Sequence, residues 1–119
     1  PICNSNQNYG VSLDSSKNNT FNSLTCNRSN SRGIYLSTSL NNTFNSLTCN
    51  DNITGIDISY SSLNNIFISP ICNDNTTGIY ISFSNNNIIN GKNTIKNNQR
   101  MLLALRYLLL HNLKQTLHH

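Results

Sequence analysis

Apolar side chains recur along this chain with two spacings at once. Locally they alternate with polar ones. Gly10-Val11-Ser12-Leu13, Gly33-Ile34-Tyr35-Leu36, Gly55-Ile56-Asp57-Ile58 and Gly78-Ile79-Tyr80-Ile81 each read glycine, apolar, variable, apolar. A period of two is the signature of a strand that buries one face. Over a longer range the pattern itself repeats: residues 18–27 recur unchanged at 41–50, an offset of 23. Phe21, Phe44, Phe67 and Ile89 continue that register, as do Cys3, Cys26, Cys49 and Cys72. Within the repeats no stretch has the i, i+3, i+4 spacing of an amphipathic helix.

A period of about 20 to 50 residues predicts a solenoid, in which each repeat buries its apolar face against its neighbours. Three short strands per turn, separated by Asn and Ser corners, predict a parallel β-helix of about four coils stacked at the roughly 4.7–4.9 Å of paired strands. Equivalent side chains then lie above one another. Asn19, Asn42, Asn65 and Asn87 are expected to form a corner ladder, because Asn suits tight bends and its amide reaches the neighbouring coils. The glycines are placed at corners needing positive φ or close approach. Cys3, Cys26, Cys49 and Cys72 are expected to be a column of small buried thiols. A disulfide between coils and a soft-metal site are the alternatives.

The character of the chain changes near its end. Residues 1–98 carry the β-helix repeats, whereas residues 99–119 are Leu-rich, with Leu102, Leu105, Leu109 and Leu113 on one helical face. This segment reads as a short helix capping the solenoid, or as an artefactual tail. Its apolar run is far below the roughly 20 residues that span a bilayer, so no transmembrane segment is expected. The chain also opens inside what reads as a coil, so further coils of a longer parent are expected.

Composition narrows the function. Asn makes up about a fifth of the chain, charged residues 10%, and Trp is absent. The formal charge of +4 comes mainly from Lys92, Lys96, Arg100, Arg106 and Lys114. The repeats set Lys17, Arg28 and Arg32 against Asp14, Asp51, Asp57 and Asp74 and are close to neutral, which argues against a nucleic-acid groove. Sequons at Asn18, Asn27, Asn41, Asn52 and Asn75 arise easily by chance in so Asn-rich a chain.

Four Asp and no Glu give little for an acid–base mechanism, so no enzymatic activity is expected. Asp51 and Asp74 share one place in Cys-Asn-Asp-Asn, one coil apart, where they could hold a cation such as calcium with nearby amides. Tyr35, Asp57 and Tyr80, with Ser12, fall in one outward column. Tyr35 and Tyr80 would stand about 10 Å apart, two strand spacings. Aromatic rings beside a carboxylate can stack on sugars and accept their hydroxyls, so carbohydrate is the expected ligand.

Asn-Asn-Thr-Phe/Ile-x-x-Asn together with Gly-Ile-Tyr-Leu-x-x-Ser resembles the right-handed parallel β-helix repeats of NosD-type proteins and of archaeal surface proteins, over roughly residues 3–95. The resemblance implies a right-handed, pectate-lyase-like solenoid. It also implies two alternatives to a structural or adhesive role at the cell surface: a periplasmic copper-binding accessory protein, and a polysaccharide lyase or hydrolase. Copper would fall to the cysteine column. The location implied is extracellular or cell-surface, with the periplasm as the alternative.

Overall fold

The computed structural model describes residues 1–91, Asn98 and the backbone of residues 100–105. Five six-residue strands stack in order: β1 (Tyr9–Asp14), β3 (Arg32–Ser37), β5 (Thr54–Ser59), β7 (Thr77–Ser82) and β9 (Arg100–Leu105). Between them in sequence, the three-residue strands β2 (Thr20–Asn22), β4 (Thr43–Asn45), β6 (Ile66–Ile68) and β8 (Ile88–Asn90) form a second sheet. All pairings are parallel, and each strand pairs with its counterpart one coil away. The result is a parallel β-helix of about four coils.

The third expected strand is reduced to a line of single bridges, Ile2–Thr25–Thr48–Ile71. Left-handed residues bound it on either side: Ser23, Ser46 and Ser69 before it, Arg28, Asp51 and Asp74 after it. Two further corner columns, Asn18–Asn41–Asn64–Asn86 and Ser15–Thr38–Tyr60–Phe83, also take positive φ. Asn, Asp and Ser dominate these positions because their short polar side chains tolerate this conformation.

The core is a set of columns. Phe44 is sandwiched between Phe21 and Phe67 at centroid distances of 4.9 and 4.7 Å, with the rings nearly parallel. Leu24 and Leu47, Ile34, Ile56 and Ile79, and Leu36 and Ile58 complete the buried interior with Cys26, Cys49 and Cys72. The glycines depart from expectation in place, while close approach, one of the two expected causes, holds. Gly10, Gly33 and Gly55 lie inside strands, and none has positive φ. Close approach is what requires them: a Cβ at Gly33 would stand 2.7 Å from the Gly55 carbonyl oxygen and 3.1 Å from the Cys49 Cβ.

Of the segment from residue 99 that reads as a helical cap or an artefactual tail, one stretch is described. Arg100–Leu105 is strand β9, in register with β7 from Thr77↔Arg100 to Ser82↔Leu105. A short continuous apolar run fits a buried strand as well as a helix, and here the 23-residue register continues through it. The rest of that segment, residues 106–119, lies outside the described residues.

Candidate functional site

The outward side of the long-strand sheet carries the most concentrated chemistry. Its register aligns Ser12, Tyr35, Asp57 and Tyr80 across β1, β3, β5 and β7, while the flanking Ile and Leu residues point into the core. Asp57 does not offer an open carboxylate. Arg32, at the start of β3, reaches across to it, and Nε donates to Oδ2. Ser59 Oγ donates to Oδ1, so both carboxylate oxygens are engaged and Asp57 is only 3% exposed. A buried carboxylate needs such partners.

Above this pair sits an aromatic layer. The rings of Tyr9 and Tyr35 stack 5.2 Å apart at 22°, and the Arg32 guanidinium carbon lies 5.5 and 4.7 Å from their centroids. Cation–π attraction and the Asp57 carboxylate together fix the guanidinium. Arg32 NH1 also donates to Ser31 Oγ at 3.1 Å. Burial, with the Asp57 carboxylate and Tyr60 nearby, raises the Tyr35 phenol above its ordinary pKa. Tyr9 and Arg32 did not figure in the sequence reading of this face. The signal was available, because the repeat register that aligns Tyr35 with Asp57 also pairs Tyr9 with Arg32.

Asp51 and Asp74 both project from left-handed corner positions and are exposed. They border a shallow depression with Ser29, Asn30, Asn52 and Thr76. Hard oxygen donors of this kind suit calcium, which takes six to eight of them. Among the described residues no group of three or more His, Cys, Asp or Glu side chains comes together.

The corners are held by polar ladders. Asn42, Asn65 and Asn87 each accept, at Oδ1, both the backbone N–H and the Nδ2 of the preceding coil's Asn, at 2.9–3.0 Å. Their Nδ2 groups also donate to the carbonyls of Ser16, Ser39 and Ser62. Besides the more exposed Asn4–Asn27–Asn50 ladder, whose Oδ1 atoms accept the N–H groups of Asn27, Asn50 and Asn73, two further ladders are absent from the sequence reading. In one, Asn52, Asn75 and Asn98 accept from the backbone of the preceding coil and donate to the Cys26, Cys49 and Cys72 carbonyls. In the other, the hydroxyls of Ser39, Ser62 and Ser84 receive the backbone N–H groups of Ser16, Ser39 and Ser62. Ser29 stands where the second ladder would have Asn, and its buried Oγ has no hydrogen-bond partner. Asn52 and Asn75, each the first residue of a sequon, are buried in the Asn ladder with both ends of their amides engaged.

The cysteines form one column of free thiols, with Cys26, Cys49 and Cys72 fully buried. Burial, with hydrogen bonds to the Cys26 and Cys72 thiols, pushes the Cys49 thiol well above its ordinary pKa. Copper(I) takes thiolates, yet these thiols stand one per coil and burial holds Cys49 in the protonated form. His111, His118 and His119 lie outside the described residues. The described side chains therefore do not assemble a copper site.

A parallel β-helix with laddered corners, a sealed interior and an aromatic outer face defines a solenoid scaffold protein. Residues 2–107 match the family described as periplasmic copper-binding protein (NosD). The chain belongs to this family. No curated protein and no solved structure matches it. Among the described residues, no helix is long and apolar enough to cross a membrane.

Proposed function

We propose that this chain is a non-catalytic segment of a secreted, cell-surface or periplasmic β-helix protein, structural and adhesive in role, whose long-strand face binds carbohydrate. The observation that carries the reading is the Tyr9–Tyr35 stack with Arg32 fixed against it on a rigid sheet. Ring faces take the C–H side of a sugar, and guanidinium N–H groups not used by Asp57 or Ser31 donate to its hydroxyls. Asp57 is a positioning residue here, holding Arg32 rather than touching the ligand. Retardation in polysaccharide-containing native gels tests this. Tyr35→Ala should lose most of the retardation, and an unchanged mobility shift would overturn the assignment. Release of new reducing ends or unsaturated products by the intact chain would replace it with a polysaccharide-degrading activity.

The family match favours a second reading, copper handling by a periplasmic accessory protein. Copper retained through dialysis and lost on Cys49→Ser would support it. Equal retention by the two proteins would exclude the thiol column as its site.

A further inference from the structure

One corner of the solenoid departs from the chemistry of the others. Positive φ suits Asn, Asp and Ser, whereas bulky side chains take it only under constraint, at roughly 1–2 kcal/mol per residue. In the column Ser15–Thr38–Tyr60–Phe83 the last two members are aromatic, with φ of 53° and 49°. Their rings are among the most exposed apolar side chains on the described surface, Tyr60 at 62% and Phe83 at 46%. Ser37 aligns with Ser59, and the serine ladder aligns Ser39 with Ser62. Coil three therefore fits two residues, Tyr60 and Ser61, where coil two has only Thr38. Both take positive φ. The widened bend is secured by main-chain bonds: Thr38 N–H donates to the Tyr60 carbonyl, and Ser61 N–H to the Phe83 carbonyl.

The backbone thus forces this geometry whatever the side chain, and burial gives no reason for rings at these positions. They adjoin the long-strand sheet that carries the candidate face, since Tyr60 directly follows β5 and Phe83 directly follows β7. Arg32 and Asp57 neutralise each other there, so the face offers no net charge to attract an acidic ligand. The two residues stand on successive coils, whose backbones rise about 4.8 Å along the axis, a spacing that addresses successive units of a linear polymer.

We propose that Tyr60 and Phe83 form a stacking rail for a neutral, linear polysaccharide lying along the solenoid axis, extending the site at Tyr9, Arg32 and Tyr35. This rests on the carbohydrate reading above, and the test separates the two. The variants are Tyr60→Asn and Phe83→Asn, singly and together, because Asn suits positive φ and leaves the fold intact. Wild-type and variant chains are run in native gels containing a mixed-linkage β-glucan, a xylan, a galactomannan or polygalacturonate. The expected result is retardation of the wild type by at least one neutral polymer, weakened about tenfold or more in the double variant, with unchanged circular dichroism. Retardation lost with Tyr35→Ala but kept by the double variant would overturn the rail and leave the face. Retardation by polygalacturonate alone would overturn the neutral class. No retardation of the wild type by any polymer would overturn both readings.

Discussion

Asn65 offers the sharpest test of what holds the solenoid together. Its side chain is wholly buried and makes four hydrogen bonds. Oδ1 accepts from Asn42 N at 2.9 Å and from Asn42 Nδ2 at 3.0 Å; Nδ2 donates to Ser39 O at 2.9 Å and to Asn87 Oδ1 at 3.0 Å. Asn65→Ala removes all four and leaves the buried Asn42 N–H with no acceptor. At about 0.5–1.5 kcal/mol net per bond, with the orphaned donor adding to the loss, the expected destabilisation is on the order of 3–5 kcal/mol. Asn45→Ala is the control: its Nδ2 donates to Asn22 Oδ1 at 2.8 Å on the surface, and a change within about 0.5 kcal/mol is expected. Urea titrations of the two variants, followed by circular dichroism, give the comparison directly. A difference of less than about 1 kcal/mol would show that the amides follow the fold rather than hold it.

Three further outcomes follow from the packing. Gly33→Ala should destabilise by about 1–3 kcal/mol, read as a lower urea midpoint, because the new Cβ meets backbone rather than a side chain that could turn away. Ser29→Asn should stabilise by roughly 1 kcal/mol, since the amide can share the Cys3 carbonyl with Asn6 Nδ2, as Asn52 bonds that of Cys26; an unchanged melting temperature would refute the ladder register at that position. Cys49 holds its proton above the ordinary thiol value of 9.0 when folded. The unfolded chain ionises first as pH rises, so this thiol contributes no penalty below about pH 9 and destabilises the fold progressively above it. Cys49→Ala should flatten the alkaline fall in the stability–pH curve, and an identical fall in both proteins would refute that assignment.

Much of this architecture was legible because a solenoid writes its geometry into its period. The 23-residue offset of the Phe and Cys columns gave the stacking, and the paired Asn residues marked a corner at which Asn18, Asn41, Asn64 and Asn86 indeed take positive φ. Three features were hidden for physical reasons. The Asn52–Asn75–Asn98 ladder is interrupted at Ser29, with Asn6 beyond it, so its column does not look uniform in sequence. The third side is a line of single bridges, a matter of main-chain geometry that hydropathy does not report. The candidate face was read from one column alone. Asp57 looked available there because the pattern gives direction, in or out, but not what lies above. Arg32 sits in a different column and closes over it diagonally.

The separation between ladders and faces explains how one repeat can carry a function at a single place. The buried amides and serine hydroxyls tie each coil to the main chain of the next, and the outward column Ser12–Tyr35–Asp57–Tyr80 takes no part in these ladders. Outward columns are therefore nearly unconstrained by the fold. This is why Ser12, Tyr35, Asp57 and Tyr80 can share one register. A varied outward column is weak evidence of use. The corner column is different, because every residue there must take positive φ and an aromatic side chain adds strain at that position. Aromatic residues at Tyr60 and Phe83, exposed and on the bend where coil three has two residues for the one of coil two, run against the local preference of the chain without improving its core. A feature that opposes local propensity and leaves packing unimproved points to the surface it creates.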